Sequence, residues 1–316
     1  MQKLLITRPL PERVRAAARA RFDVTARASD LPLDADELRA ALRDYDMILP
    51  TLGDLFRADV FADVAQPRAK ILANFGVGYN HIDVAAARAA GLAVSNTPGA
   101  VTDATADIAM TLILMTARRA GEGERMLRAG RWQGWAPTQM LGQHVSGARV
   151  GIIGMGRIGK AIAQRCHFGF GMEVSFYNRS VVEGLAFPAT QKSLAEVLDA
   201  DYVVLAVPGG AETRHLINAE TLAQIRPDAI LINISRGDVV DEAALVDALQ
   251  SGGILGAGLD VYEHEPRVSP ALIQMENVTL LPHLGTACLK VREAMGMMAV
   301  DNLIATLEGR PLPNPV

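Results

Sequence analysis

The stretch Arg149-Val150-Gly151-Ile152-Ile153-Gly154-Met155-Gly156-Arg157-Ile158-Gly159-Lys160-Ala161-Ile162-Ala163 decides how the rest of this 316-residue chain is read. Its first five residues are a short buried-strand run, and a helix begins around Lys160. The turn between them carries glycines at 154, 156 and 159. In such a turn the first glycine permits the tight bend, and the second lets backbone approach a pyrophosphate. The third lets helix and strand pack closely. The helix N-terminus, entered through Arg157 and Ile158, then offers unpaired N–H groups to phosphate. A bare glycine triplet is a weak signal, but one set between strand and helix in a βαβ unit is a strong sign of a dinucleotide site.

The next strand, Glu173-Val174-Ser175-Phe176-Tyr177, ends in Asn178-Arg179-Ser180. An NAD site normally carries Asp or Glu here, about twenty residues beyond the glycines, to hold the ribose 2′-OH. No acid stands at that position. Arg179 can pair with a 2′-phosphate, and Asn178 and Ser180 can donate hydrogen bonds to it. The expected cofactor is therefore NADP(H), with NAD(H) the alternative if Arg179 only stacks on adenine.

Working outward, apolar strand-like runs alternate with helical segments from end to end, the pattern of a parallel sheet covered on both faces. The first part shows strands at Lys3–Thr7, Met47–Pro50, Ile71–Asn74 and Ala93–Ser95, with helices at Pro11–Arg21 and Asp36–Asp44 between them. Asn96-Thr97-Pro98-Gly99 is a loop and the first crossing between domains. A long helix follows over Thr102–Gly121, with Thr102 as N-cap and Ile108, Leu112 and Met115 on its apolar face. The irregular run Arg131–Pro137 holds both tryptophans, Trp132 and Trp135. The middle domain continues through strands at Arg149–Ile153, Glu173–Tyr177, Tyr202–Val207, Ala229–Ile234, Gly256–Asp260 and Val278–Leu281. A last helix, Leu289–Glu308, is free to return to the first domain. The expected division is residues 1–98 plus 285–316 against residues 99–284.

Composition limits the function classes. Half the residues are hydrophobic, 21% are charged and the formal net charge is -4. With no run of one sign, a nucleic-acid or membrane-surface footprint is not suggested. Cys166 and Cys288 lack metal-ligand spacing, so no metal site is expected and a reducing cytoplasm is the default. The N-terminal apolar run is too short for a signal peptide or a span.

Three later segments bring polar residues to strand ends, where ligands of open α/β sheets gather. They are Asn233-Ile234-Ser235-Arg236-Gly237, Asp260-Val261-Tyr262-Glu263-His264-Glu265-Pro266 and Leu281-Pro282-His283-Leu284-Gly285-Thr286. Together with Asn74-Phe75-Gly76-Val77-Gly78-Tyr79-Asn80-His81-Ile82-Asp83 and Ser235–Val240, they make the chain resemble the D-isomer-specific 2-hydroxyacid dehydrogenases over essentially its whole length. It resembles most the glyoxylate/hydroxypyruvate reductases of that family.

The resemblance implies a doubly wound Rossmann cofactor domain inserted into a flavodoxin-like substrate domain, and a homodimer built on the cofactor domains. It implies a catalytic Arg236, Glu265 and His283. Arg236 would hold the carboxylate and ketone of a 2-oxo acid with its planar fork. His283 would give a proton to the ketone oxygen, and Glu265 would orient the imidazole. Glu263 competes for the Glu265 role, although Glu265 is the one preceding Pro266. The N–H groups of Val77 and Gly78 would hold the substrate carboxylate. Asp260 would bond the nicotinamide carboxamide beside Thr105, and the cofactor site would extend to Val207, Pro208, Thr213, Ile234 and Gly285. Thr286, Cys288 and Gln139 depart from the residue types common in the family. Two other readings stay open, an NAD-dependent D-2-hydroxyacid dehydrogenase of different substrate range and a dinucleotide-sensing transcriptional partner.

Overall fold

The computed structural model describes all residues, Met1–Val316. The chain forms two compact units, residues 1–101 with 286–316, and residues 102–285.

The first unit is built on β1 (Lys3–Ile6), β2 (Asp23–Ala26), β3 (Met47–Leu49), β4 (Ile71–Ala73) and β5 (Ala93–Ser95). All pair in parallel in the order β2-β1-β3-β4-β5, the flavodoxin-like order. β3 and β4 are buried along their whole length, as strands covered on both faces must be. β2 is absent from the sequence expectation, because its edge position leaves it an alternation of exposed and half-buried residues without an apolar run. The C-terminal helix Leu289–Leu307 packs on the helix Glu12–Arg19 and on β4. Its Gly296 is obligatory there, since a Cβ would overlap the Val14 side chain.

The second unit carries β6 (Arg149–Ile153), β7 (Glu173–Tyr177), β8 (Thr190–Gln191), β9 (Tyr202–Leu205), β10 (Ile230–Asn233), β11 (Gly256–Leu259) and β12 (Val278–Leu280). They form one parallel sheet, β12-β11-β10-β9-β6-β7-β8, the Rossmann order with a seventh strand added. Side chains alternate between two cores. Tyr202 and Val204 enter one, and Val203 and Leu205 enter the other.

The expected single helix over Thr102–Gly121 is two helices, Thr102–Ala117 and Ala120–Arg128. The break falls at Arg119, whose backbone is left-handed at φ 52. The buried stripe of the first helix runs through Ala106, Ala109, Met110, Ile113 and Ala117 as well as Leu112, so the face through Ile108 and Met115 is only its flank. In the run after the second helix Trp135 is 82% exposed, so it does not anchor its own loop. No helix is long and apolar enough to cross a membrane.

Candidate active site

The glycine turn lies between the ends of β6 and β9, where the strand order reverses. Gly154 adopts φ +101, and a Cβ there would lie 2.7 Å from the Ala206 carbonyl oxygen. A Cβ on Gly159 would overlap the Gly154 carbonyl oxygen. These two glycines are demanded by the protein itself. Gly156 is different. Its φ of -76 suits any residue, and nothing in the protein lies within 4 Å of where its Cβ would be. It precedes the helix Arg157–Gln164, whose N-terminus no side chain caps. An open cradle facing uncapped helix N–H groups fits a dinucleotide pyrophosphate. Gly156→Ala should therefore melt like wild type yet bind the dinucleotide about tenfold or more weakly, the scale of one lost hydrogen bond to a charged group. Gly159→Ala should lower the melting temperature instead. Calorimetry and cofactor fluorescence titration distinguish the two.

Around the turn the expected cofactor residues have other partners to share. Asn178 Oδ1 accepts from Met155 N–H at 3.2 Å, and its Nδ2 donates to Ser180 O and Oγ at 3.0 and 3.1 Å. Asn178 thus ties β7's end to the glycine turn. Arg179 is paired with Glu212, both well exposed. Thr213 Oγ1 donates to Pro208 O at 2.7 Å and fixes the loop that follows Val207. Ile234 is buried beyond β10.

The three residues at the ends of β10, β11 and β12 are held from below. Asn233, fully buried, accepts from Ser235 N–H at 3.0 Å and Oγ at 2.7 Å, while its Nδ2 donates to Arg236 O at 3.0 Å. Gly237 must be glycine, because a Cβ would overlap the Tyr262 backbone. Sequence reasoning assigns neither residue a role. An amide ending an apolar strand, and a glycine following its arginine, are the available signals.

His283 Nδ1 lies 3.0 Å from Glu265 Oε2, with each side chain about 31% exposed. Glu265 Oε1 also accepts from Tyr262 N–H at 3.1 Å. Burial pushes the Glu265 carboxyl up, but the His283 hydrogen bond and charge, the Tyr262 N–H and Arg236 outweigh it, so its pKa falls below the usual value. Glu263 is engaged elsewhere, 2.7 Å from His215 Nε2, and its second oxygen accepts from Glu242 N–H at 3.2 Å. The geometry separates the two acids: Glu265 faces His283. Burial lowers the Arg236 pKa from the ordinary guanidinium value, with Glu265 and Asp238 opposing it. An arginine so shifted keeps its charge at neutral pH.

His283 sits at φ 54, a left-handed backbone uncommon outside glycine. What holds it there is Asp260. The Asp260 carbonyl accepts from His283 N–H at 2.9 Å, and its carboxylate accepts from Leu284 N–H at 2.6 Å and Gly285 N–H at 2.8 Å. Burial raises the Asp260 pKa despite those bonds. Thr105 Oγ1 donates to Gly285 O at 3.3 Å, closing the loop from the other side. Asp260 and Thr105 thus build the histidine loop, whatever else they touch. Val77 and Gly78 lie in the first unit, in the loop after β4. No group of three or more His, Cys, Asp or Glu side chains could hold a metal ion.

The fold and this arrangement define a nicotinamide-dinucleotide oxidoreductase, and comparison with known proteins agrees. Residues 110–285 match the NAD binding domain of D-isomer specific 2-hydroxyacid dehydrogenases. A glyoxylate reductase of Thermococcus kodakarensis is 42% identical over 98% of this chain and 95% of its own. A glycerate dehydrogenase of Hyphomicrobium methylovorum is 36% identical over 98% and 97%. The crystal structure of an NADPH-dependent glyoxylate/hydroxypyruvate reductase from Sinorhizobium meliloti, in complex with NADP and malonate, superposes with a TM-score of 0.88. It is 38% identical and covers 100% of this chain and 96% of that one. The chain belongs to the D-isomer-specific 2-hydroxyacid dehydrogenase family. Within that family it is similar to the glyoxylate reductases.

Proposed function

We propose that this protein reduces small 2-oxo acids to 2-hydroxy acids, with glyoxylate and hydroxypyruvate as first substrates and NADPH as reductant. The observation that carries the reading is the Glu265–His283 pair at 3.0 Å, with Arg236 at the neighbouring strand end. The names of the relatives support it. Arg236 presents a planar fork of donors that suits a carboxylate and an adjacent ketone. Glu265 accepts the Nδ1 proton of His283, which leaves Nε2 as the atom that delivers a proton to the ketone oxygen. In the reverse direction neutral Nε2 takes that proton back. A nicotinamide bound beside them supplies the hydride.

The 2′-phosphate preference rests on the missing acid at Asn178 and on Arg179. One observation favours the NADH reading instead: Glu212 already pairs with the Arg179 guanidinium that a 2′-phosphate would need. The pair is exposed, and exposed pairs contribute little, so Arg179 can be released at small cost. Steady-state rates with glyoxylate, hydroxypyruvate, pyruvate and a phenyl-substituted oxo acid, each with NADPH and NADH, test both parts. We expect the two small acids and NADPH to give the highest kcat/KM. Arg179→Ala should raise the KM for NADPH about tenfold and leave that for NADH nearly unchanged, on the scale of one lost bond to a charged group. No turnover with any oxo acid sinks the reaction, and a wild-type preference for NADH sinks the cofactor assignment.

A further inference from the structure

The loop after β4 has an unusual hydrogen-bond pattern on its inner side. Asn74, 1% exposed, donates from Nδ2 to the carbonyl oxygens of both Gly76 and Gly78, each at 3.0 Å. Asn96 Nδ2 donates to the Val77 carbonyl at 2.9 Å, and Thr97 N–H reaches the Gly76 carbonyl at 3.1 Å. Three consecutive carbonyls are therefore turned inward. In a trans peptide the N–H points opposite to the carbonyl of the same plane. The N–H groups of Val77, Gly78 and Tyr79 must then all face the other way, and none of them donates to any group in the chain. Three successive free N–H groups turned to one side form an anion-binding concavity.

Asn74 holds this arrangement at a cost. Its Oδ1 is buried with no partner, and a buried unsatisfied acceptor is destabilising. A shorter apolar residue would avoid that penalty, so the donor end is what the position requires.

We propose that Asn74 and Asn96 are positioning residues for the substrate carboxylate, aiming a three-donor nest in which Tyr79 N–H joins those of Val77 and Gly78. The proposal rests on the 2-oxo acid reading above. Neither asparagine touches substrate. Each acts by fixing the orientation of a peptide plane, with Asn74 clamping two planes and Asn96 one.

The test uses the full-length enzyme saturated with NADPH and oxalate as a non-reacting probe. Asn74→Ala is expected to weaken oxalate and raise the KM for glyoxylate by about tenfold or more, with kcat reduced much less and the KM for NADPH unchanged, the signature of lost ground-state positioning. Asn96→Ala, which frees one carbonyl from a less buried site, should shift the same constants in the same direction by a smaller factor. It decides between the outcomes if Asn74→Ala does not fold. Asn74→Asp should be worse than Ala, because a carboxylate would face two carbonyl oxygens. Unchanged oxalate affinity in the folded variants overturns the proposal, as does an equal loss of NADPH affinity. A wild-type enzyme that binds no oxalate and reduces no oxo acid overturns the reaction, and the proposal with it. Wild-type turnover with unaffected variants overturns the positioning role alone.

Discussion

His283→Gln is expected to lower kcat for glyoxylate reduction by about 10²–10⁴-fold, the range that one positioned general acid contributes. Gln can still occupy the left-handed position that Asp260 and its two N–H partners hold, so the loop should survive and NADPH should bind as before. What is lost is a group that can carry a proton on Nε2. Single-turnover rates with NADPH prebound isolate that step from product release. A variant within a few-fold of wild type would end the proton-donor assignment. The companion change, Glu265→Gln, acts through the pH profile. Glu265 has a lowered folded-state pKa, so its charge and its bond to His283 persist through neutral and mildly acidic pH and fail only as the pH drops through that lowered value. The acid fall of the reduction rate should follow protonation of that carboxylate, and Glu265→Gln, which has no proton to gain there, should flatten it.

Arg236→Ala should cost kcat/KM about 10²–10⁴-fold. Two hydrogen bonds from a guanidinium to an anionic substrate are worth roughly 1.5–3 kcal/mol each, and about 1.4 kcal/mol is a factor of ten. Lysine should not restore the loss, because an ammonium cannot span carboxylate and ketone in one plane. Truncation removes the Arg236 Nη1 donation to Ser235 O at 2.7 Å, but the Asn233 amide still donates to the backbone carbonyl of residue 236 and Gly237 still packs on the Tyr262 backbone, so the loop should keep its course. Melting temperature and cofactor affinity therefore serve as controls. An Arg236→Lys enzyme near wild-type kcat/KM would show that the fork geometry is unnecessary.

The sheet and its glycine turn are legible in the sequence because their signals are local. Buried parallel strands appear as continuous apolar runs, and Gly154, Gly156 and Gly159 each answer a constraint that the spacing alone describes. The residues that fix the side chains at the strand ends are less legible, since their partners are distant in sequence. Glu263 and Glu265 are two positions apart in the chain and equivalent by residue type. What separates them in space is a pair of distant partners, His215 reaching Glu263 across 48 positions and His283 reaching Glu265 across 18. Asn74 belongs to the same class, because a motif names the glycines it clamps but not the amide beneath them. β2 escapes a sequence reading because an edge strand lacks the apolar run, and the break at Arg119 because a left-handed arginine has no sequence signal.

The ladder of the Rossmann sheet bears on how this site tolerates evolutionary change. β10, β11 and β12 are adjacent in it, and each delivers one of Arg236, Glu265 and His283. Arg236 follows Asn233 by three positions, and His283 follows Leu280 by three. The lateral spacing of these three side chains is thus set by strand separation, and the reach of Arg236 and His283 by two equal offsets. If the proposed reaction holds, insertions and deletions in those two short offsets should be forbidden, because one residue would rotate or withdraw Arg236 or His283. The β11 offset to Glu265 is longer and encloses the Tyr262 contact, so it can absorb length only where that contact survives. A gap in either three-residue offset, seen in any remote homologue, would mark a chain that keeps the fold and has given up the chemistry.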